Sequence, residues 1–367
     1  MKYSFLLILL FSTNAFSKLS FEDATSPELL TSVRALGMGN SYASLVDDST
    51  AAFYNPAGLG TVRGGLRLHL TNFQLEMNRG FLDVTSGKGN FLDSLDKYDD
   101  AFSSDGVRSL LADNPGNITH AKFSLFPNIT YRWITLGYLY NKEQRARLKT
   151  STSDFEIAER ESSGPVLSLA FSLFGGVFKI GATLTHLTRK EIFRDTAEND
   201  TLNISESDYS QGELNHIVAG TRMTFPVFLL PTISFVGRNL GSNQWTNISL
   251  AGAPEDIPET FDASVSITPF TGRRSRLHIE IGRKDLGDQY ADVPIARKLQ
   301  GGIEWGYGRK YFFRLGYGDG WGSGGIGVRS RRFVFDLSTY AVEGSADKFR
   351  EEEDRRFALN ISSGVGF

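Results

Sequence analysis

The chain has 367 residues and a formal net charge of -3 at pH 7, a balance that does not suggest a nucleic-acid partner. Its 40% hydrophobic content excludes a disordered protein, and the absence of cysteine excludes a disulfide-stapled secreted domain. Aromatic residues are frequent, with 28 Phe, 13 Tyr and 4 Trp, and there are 38 Gly. This composition favours strands over helices.

The amino terminus is typical of a secretory signal peptide. Lys2 supplies a positive charge, residues 5–11 form an apolar run, and Ala15 and Ser17 place small side chains at a cleavage site. The apolar run is too short to span a bilayer as a helix. We therefore expect residues 1–17 to be removed and the mature chain to start near Lys18.

Residues 18–63 differ from the rest of the chain and predict a small compact unit outside the sheet. Residues 26–28 combine a capping side chain, a proline and an acid, which predicts a helix that runs to Leu36. Residues 47–49 predict the start of a second short turn of helix, and Asn55 ends it because a proline follows.

From residue 64 to residue 367 the hydrophobic pattern has a period of two, which is the period of a strand with two different faces. Residues 178–185 and 276–281 show this alternation clearly. We predict about fourteen strands, which begin near Leu66, Ala121, Ile134, Phe155, Val177, Gly212, Pro231, Phe261, Ser275, Lys298, Lys310, Ser323, Arg332 and Arg356.

The lengths of the connections separate a membrane barrel from a soluble sandwich. Connections after odd strands are mostly long and polar, whereas those after even strands are short; the gaps after the third and eleventh strands depart from the rule. This parity and an even strand number are typical of bacterial outer-membrane barrels, and a sandwich has no reason to follow them. The sequence thus predicts an all-β, membrane-spanning antiparallel barrel in the outer membrane, in contact with its lipid and lipopolysaccharide.

Two sets of residues fit such a barrel. Phe367 ends an alternating strand, as bacterial barrels commonly do, and we expect it to act as a signal for the barrel-assembly machinery. Glu304 and Arg314 lie on neighbouring strands, within pairing range, and either brace the barrel or take part in conduction. The charges predicted to face the lumen are Lys179, Glu280, Glu304, Arg314 and Asp336.

Residues 34–60 read RALGMGNSYASLVDDSTAAFYNPAGLG. This string resembles the amino-terminal signature of the long-chain fatty-acid transporter (FadL-type) superfamily of outer-membrane barrels, and most of all the branch with the secretion-accessory barrels of gliding bacteria. Residues 236–241 and 257–259 also resemble that branch. The positions that carry the signature are Arg34, Gly37, Gly39, Asp47, Asp48, Asn55, Pro56, Ala57 and Gly58.

The resemblance implies a fourteen-strand barrel whose lumen holds an amino-terminal hatch (18–63), with the wall formed by residues 64–367. It places Asn55, Pro56 and Ala57 in the hatch, where they either fold it or help to gate it. It further implies transport of hydrophobic or amphipathic, fatty-acid-like molecules. The alternative is a non-conducting scaffold for protein secretion or surface attachment.

Other patterns give no sign of an enzyme, a cofactor or a metal. The five histidines lack ligand spacing, and residues 320–325 are glycine-rich without the strand-to-helix context of a phosphate loop. No nucleophile motif is present in the sequence. The first long connection is acidic, which predicts either a solvated loop or a divalent-ion contact near lipopolysaccharide; its acids include Asp93, Asp96, Asp99 and Asp100.

Overall fold

The computed structural model describes residues 19–62, 65–86, 102, 104–112, 116–149, 154–197, 204–345 and 347–365. The predicted signal peptide, the acidic residues at 93–100 and the terminal Phe367 lie outside these residues, and the expectations for them stay predictions. Among the described helices, none is long and apolar enough to span a bilayer.

Sixteen strands are described, and all of their pairings are antiparallel. They are β1 Leu66–Asn78, β2 Ile118–Leu125, β3 Asn128–Tyr131, β4 Ile134–Leu148, β5 Asp154–Leu173, β6 Phe178–Ala197, β7 Ser210–Thr224, β8 Thr232–Arg238, β9 Thr246–Asn247, β10 Thr260–Ile267, β11 Ser275–Arg283, β12 Leu299–Tyr307, β13 Tyr311–Gly318, β14 Trp321–Arg329, β15 Phe333–Glu343 and β16 Glu353–Val365. Pairing of β1 with β16 closes the sheet into a barrel.

The barrel wall has fourteen strands, as predicted. Strands β2 and β3 each pair with β1 on one side and β4 on the other, so together they form one wall strand. The interruption lies at Phe126 and Pro127, and Pro127 has no backbone N–H to donate to a ladder. Among the described strands, β9 pairs with β7 alone and lies outside the wall. The sequence pattern joined β2 to β3 and missed β9, because two residues are too short to show a period.

Burial on the wall is the reverse of that in a soluble protein. On β12 and β13 the apolar side chains Trp305 and Leu315 are 40% and 68% exposed, whereas the charged Glu304 and Arg314 are 5% and 3% exposed. The same alternation continues around the barrel, with Phe171, Phe235 and Val265 among its exposed apolar residues. An apolar outer band around a polar interior is the surface of a barrel that spans a membrane.

The connections divide the barrel into two ends. The short-turn end carries the connections 132–133, 174–177, 225–231, 268–274, 308–310 and 330–332. The long-loop end carries the connections 79–117, 149–153, 198–209, 239–259, 284–298, 319–320 and 344–352, of which two are short, at the places predicted. The first of these connections contains the helices Arg79–Ser86 and Ser104–Ala112, which pack on the wall at the long-loop end. There Val107 and Leu111 share a buried cluster with Phe155 and Ile157.

The hatch is less helical than predicted. Its first helix covers only Val33–Leu36, and the second, Ala51–Tyr54, ends at Asn55 as expected. Residues 26–32 are not helical because their polar groups bond to the rest of the protein instead of to each other: Glu28 contacts wall side chains, and the Ser32 N–H donates to the Tyr54 hydroxyl. The helix prediction failed because these distant partners override a local start signal.

The hatch lies against the inward face of the wall and shares its core. Leu30, Met38 and Phe53 are buried in one cluster that also contains Phe126 and Leu139 of the wall. The rings of Phe53 and Phe126 meet edge to face at 4.9 Å between centroids. A second apolar cluster joins Val33 and Leu36 of the hatch to β15 and β16, so apolar contacts at two places on a mostly polar lumen face fix where the hatch sits.

Candidate functional site: the hatch and the lumen wall

Arg34 joins the hatch to strands β12, β13 and β15 of the wall through a chain of buried charges. Its Nε and Nη2 atoms lie 2.7 and 2.6 Å from the two carboxylate oxygens of Glu304, a bidentate contact. Glu304 also accepts from Arg314 Nε at 2.8 Å, and Arg314 Nη1 contacts Asp336 at 2.6 Å. Three of the five predicted lumen charges thus form one network that extends to Arg34 of the hatch.

The same guanidinium organises the hatch itself. Arg34 Nη1 lies 2.7 Å from Asp47, 3.5 Å from Asp48 and 2.8 Å from the Tyr42 hydroxyl. Burial alone would lower the pKa of Arg34, but the carboxylate of Glu304 raises it well above its ordinary value. Burial would raise the pKa of Asp48, but Arg34 and Arg329 hold it below its ordinary value. These charges therefore persist at neutral pH.

Glycines of the wall make room for the first signature stretch. A Cβ atom on Gly316 would lie 2.1 Å from the Met38 carbonyl carbon, and one on Gly302 would lie 2.5 Å from the Met38 oxygen. Gly39 has φ +65°, a left-handed conformation that favours glycine, and its Cα hydrogen faces the Tyr317 carbonyl. Gly37 lies beside Gly325, since a Cβ atom on Gly37 would be 2.7 Å from Ser338 Oγ and 3.3 Å from the Gly325 Cα. The glycines of RALGMG therefore face glycines of the wall.

The Asn-Pro-Ala stretch docks on β6 and β7 in the same manner. A Cβ atom on Gly181 would lie 2.4 Å from the Pro56 carbonyl carbon, and one on Gly220 would lie 2.1 Å from Asn55 Oδ1. Asn55 Oδ1 accepts from the Ala57 N–H at 3.1 Å and caps the 3-10 helix Pro56–Thr61. Its Nδ2 donates to the Ala43 and Thr221 carbonyls, which ties the hatch to the wall.

The remaining predicted residues also contact the hatch. Gly58 packs on Val46, with 2.6 Å between its ideal Cβ position and the Val46 oxygen. Glu280 accepts from the Ser44 N–H at 2.9 Å. The Lys179 stem lies beside Gly60, and its ammonium donates to the Gly176 carbonyl. The structure therefore brings the predicted lumen residues and most of the signature to one hatch–wall interface, whereas Gly58 packs within the hatch and Phe367 lies outside the described residues.

A second buried charge cluster was missed at the sequence level. Arg238 contacts Glu28 of the hatch at 3.0 Å and Asp262 at 2.9 Å, and its Nη1 donates to the Phe53 carbonyl at 2.6 Å. Lys284 also pairs with Glu28. Arg238 was noted only as part of the stretch 236–241. The sequence signal that could have found it was a charged residue at the end of a wall strand, on the face that points into the lumen.

A third cluster holds the first described part of the hatch near the long-loop end. Glu22 pairs with Arg356 at 2.9 Å and with Arg145, while Asp354 lies 2.8 Å from Arg356. Burial would raise the pKa of Glu22, but the two arginines lower it to about 2. Asp23 pairs with Arg160 of β5 at 2.9 Å. The hatch is thus tied to the wall by ion pairs from Glu22 to Arg34 and by hydrogen bonds at Asn55.

A polar cavity lies between the hatch and the part of the wall near the long-loop end. It has a volume of about 60 Å³ and lies between residues 21–36, the inner faces of several wall strands and the loop residues Ile257, Pro258 and Tyr290. Its lining includes Arg160, Arg189, Arg238 and His216. A continuous apolar pocket beside the hatch would favour a transporter over a scaffold, and the lining is instead largely polar.

Two cavity residues are less fully paired than their neighbours. His216 is 2% exposed, and neither of its ring nitrogens has a hydrogen-bond partner among the described residues. Arg189 donates from Nε to the Ser162 hydroxyl at 3.0 Å and lies 5.3 Å from the Trp245 ring. Within the described part of the chain, no carboxylate lies within 4.0 Å of its guanidinium nitrogens. Together they can donate hydrogen bonds to a polar or anionic group.

The described residues contain no group of three or more acidic, histidine or cysteine side chains arranged to hold a metal ion. No protein-family model matches the sequence, and a comparison with curated protein sequences gives no match.

Solved structures match over nearly the whole chain. The monoaromatic hydrocarbon channel CymD superposes with a TM-score of 0.53 at 13% identity, covering 91% of this chain and 96% of that one. The toluene transporter TbuX of Ralstonia pickettii gives a TM-score of 0.51 at 11% identity, covering 92% and 98%. A mutant of the monoaromatic hydrocarbon channel TodX gives 0.51 at 10% identity, covering 92% and 99%. The chain has the fold of these channels. At such low identity the likeness establishes the fold and leaves the cargo open.

Proposed function

We propose that this barrel takes up amphipathic small molecules, of fatty-acid-like character, across the outer membrane without catalysis. The fold shared with hydrocarbon channels supports a path for apolar molecules through such a barrel. The observation that carries the amphipathic class is the charged cavity beside the hatch, because a purely apolar cargo gains nothing from Arg189 and His216. A cargo with one polar end satisfies both groups.

Location in the outer membrane is the first expectation to check. The exposed apolar band requires a lipid environment, and closed barrels resist unfolding by detergent until they are heated. After cell fractionation, the chain should be found with outer-membrane markers and should migrate differently on a gel before and after boiling. Recovery as a free periplasmic protein would contradict the proposal.

Replacing Arg189 tests the cargo class. In cells that lack the native chain, Arg189→Gln should raise the half-saturating concentration for oleate uptake by about tenfold or more, because a hydrogen bond to a charged group is lost. Toluene uptake should not change, since toluene has no polar end. Arg194→Gln is the matched control, because Arg194 lies on the same strand but is exposed at the long-loop end.

The outcome separates the candidate functions. Equal effects of Arg189→Gln and Arg194→Gln on oleate uptake would remove the cavity from the transport path. If wild-type cells show no saturable uptake of oleate or toluene above the deletion strain, transport itself is wrong.

The second candidate is a non-conducting scaffold for protein secretion or surface attachment. The buried ion pairs that fix the hatch favour it, since a fixed hatch suits a closed lumen. Exposed apolar side chains on the long loops favour it too, because they offer a surface to another protein; they include Ile248, Leu250, Leu286 and Phe349. A deletion strain with normal growth on long-chain fatty acids but an altered secreted-protein profile would select this function.

A further inference from the structure

The connections at the short-turn end carry charge of one sign. Its six connections contain seven Lys or Arg residues and no Asp or Glu. All seven side chains belong to exposed residues, and none has a carboxylate partner among the described ion pairs. We call them the basic rim; they are Arg132, Arg273, Arg274, Arg309, Lys310, Arg331 and Arg332.

The opposite end has the opposite charge. The long connections 198–209 and 239–259 contain seven Asp or Glu residues and no Lys or Arg. Charge is therefore separated along the barrel axis, although the whole chain is nearly neutral. Two different chemical surroundings at the two ends explain such a separation, whereas solubility does not require it.

Aromatic side chains border the basic rim where it meets the apolar band. Exposed Tyr131 and Trp133 enclose Arg132, and exposed Tyr307 and Tyr311 enclose Arg309 and Lys310. The other two basic connections have Phe270 before the arginine pair and Phe333 after it. Aromatic residues mark the boundary between hydrocarbon and headgroups in membrane barrels, so the cations lie at headgroup level.

The other two turns of the same end, 174–177 and 225–231, have no charge and are apolar. Residues 225–231 read FPVFLLP, and Phe228 is 88% exposed. Leu229 and Leu230 have φ of +72° and +45°, the left-handed region that costs a non-glycine residue energy. A turn that presents phenylalanine to its surroundings under strain is suited to an apolar medium, which a membrane leaflet supplies.

We propose that the basic rim binds the phosphate groups of anionic phospholipids in the leaflet at the short-turn end. The cations lie on four of the six connections around the barrel, so a planar layer of headgroups meets all of them while a compact protein partner does not. Positive side chains next to a membrane attract anionic lipids, and the apolar turns anchor in the same leaflet. The partner of the basic rim is therefore lipid, and the cations of the rim favour lipids with a negatively charged headgroup.

The test compares lipid binding by two quadruple variants of the full chain in nonionic detergent micelles. Native mass spectrometry counts dioleoylphosphatidylglycerol or dioleoylphosphatidylcholine bound as each is titrated. The rim variant carries Arg309→Gln, Lys310→Gln, Arg331→Gln and Arg332→Gln. The control removes the same charge from exposed residues of the long-loop end, through Arg79→Gln, Arg194→Gln, Lys348→Gln and Arg350→Gln.

The rim variant should bind phosphatidylglycerol about tenfold or more weaker than wild type, with phosphatidylcholine unchanged and the control like wild type. Raised salt should weaken phosphatidylglycerol binding by the wild type more than by the rim variant, which keeps three of the seven rim cations. Equal binding of both lipids by the wild type, or equal loss in both variants, would overturn the proposal. So would full competition by soluble glycerol phosphate. Heat-dependent gel migration verifies folding, and the two pairs of rim substitutions, made separately, keep the test valid if the quadruple variant does not assemble.

Discussion

Deletion of residues 19–62 is expected to leave an assembled barrel that conducts ions and leaks solutes. The wall is held by hydrogen bonds between its own strands, and none of its fourteen strands comes from the hatch. Without the hatch, Glu304, Arg314 and Asp336 regain water, so their burial cost disappears together with their partner Arg34. A fourteen-strand wall is too wide for its own side chains to fill completely.

Planar-bilayer recordings should show stable pores of increased conductance, and cells should become sensitive to a bulky antibiotic. The control deletion removes residues 205–208, which lie in a mostly exposed part of a long loop. A silent, folded barrel would show that another part of the chain closes the lumen. Loss of assembly would show that the wall needs the hatch as a core. An open pore with an unchanged secreted-protein profile would weigh against the scaffold function.

Arg34→Met is expected to release the hatch from the wall more strongly than any other single substitution at the signature. The change leaves Asp47 without its closest cation and removes the bidentate partner of Glu304. Loss of one member of a buried ion pair typically costs about 3–5 kcal/mol, because the remaining charge stays buried. The hatch should then exchange its amide hydrogens faster and become open to protease, while the wall strands keep their protection.

The pair Arg34 and Glu304 can be tested as a unit. Adding Glu304→Gln to Arg34→Met should restore part of the protection of the hatch, because Arg314 then no longer has to balance two buried carboxylates, Glu304 and Asp336. Arg194→Met serves as the comparison: its pairing with Asp208 is exposed to water, and its loss should change little. If Arg34→Met and Arg194→Met exchange hydrogens alike, the Arg34 network does not hold the hatch.

A single sequence reveals the features of a barrel that depend on neighbouring residues. Successive side chains of a wall strand point to opposite faces. The resulting alternation of apolar and polar residues is visible in neighbours such as Ile303, Glu304 and Trp305. Connection lengths are equally local, and together they predicted the fourteen strands, the parity of the loops and the polar lumen. The hatch signature was visible as a continuous string from Arg34 to Gly60.

Only the tertiary structure decided how the hatch meets the wall. Arg34 and Glu304 are 270 residues apart, and no local pattern relates them. Glycines such as Gly220 and Gly316 look like ordinary strand interruptions until the backbone at Asn55 and Met38 is placed against them. The helix predicted from residue 26 is shortened for the same reason, since Glu28 pairs with Arg238 across the lumen. The two faces of each strand and the lengths of the loops can be read from neighbouring residues. The contact between hatch and wall depends instead on which distant surfaces come together when the barrel closes.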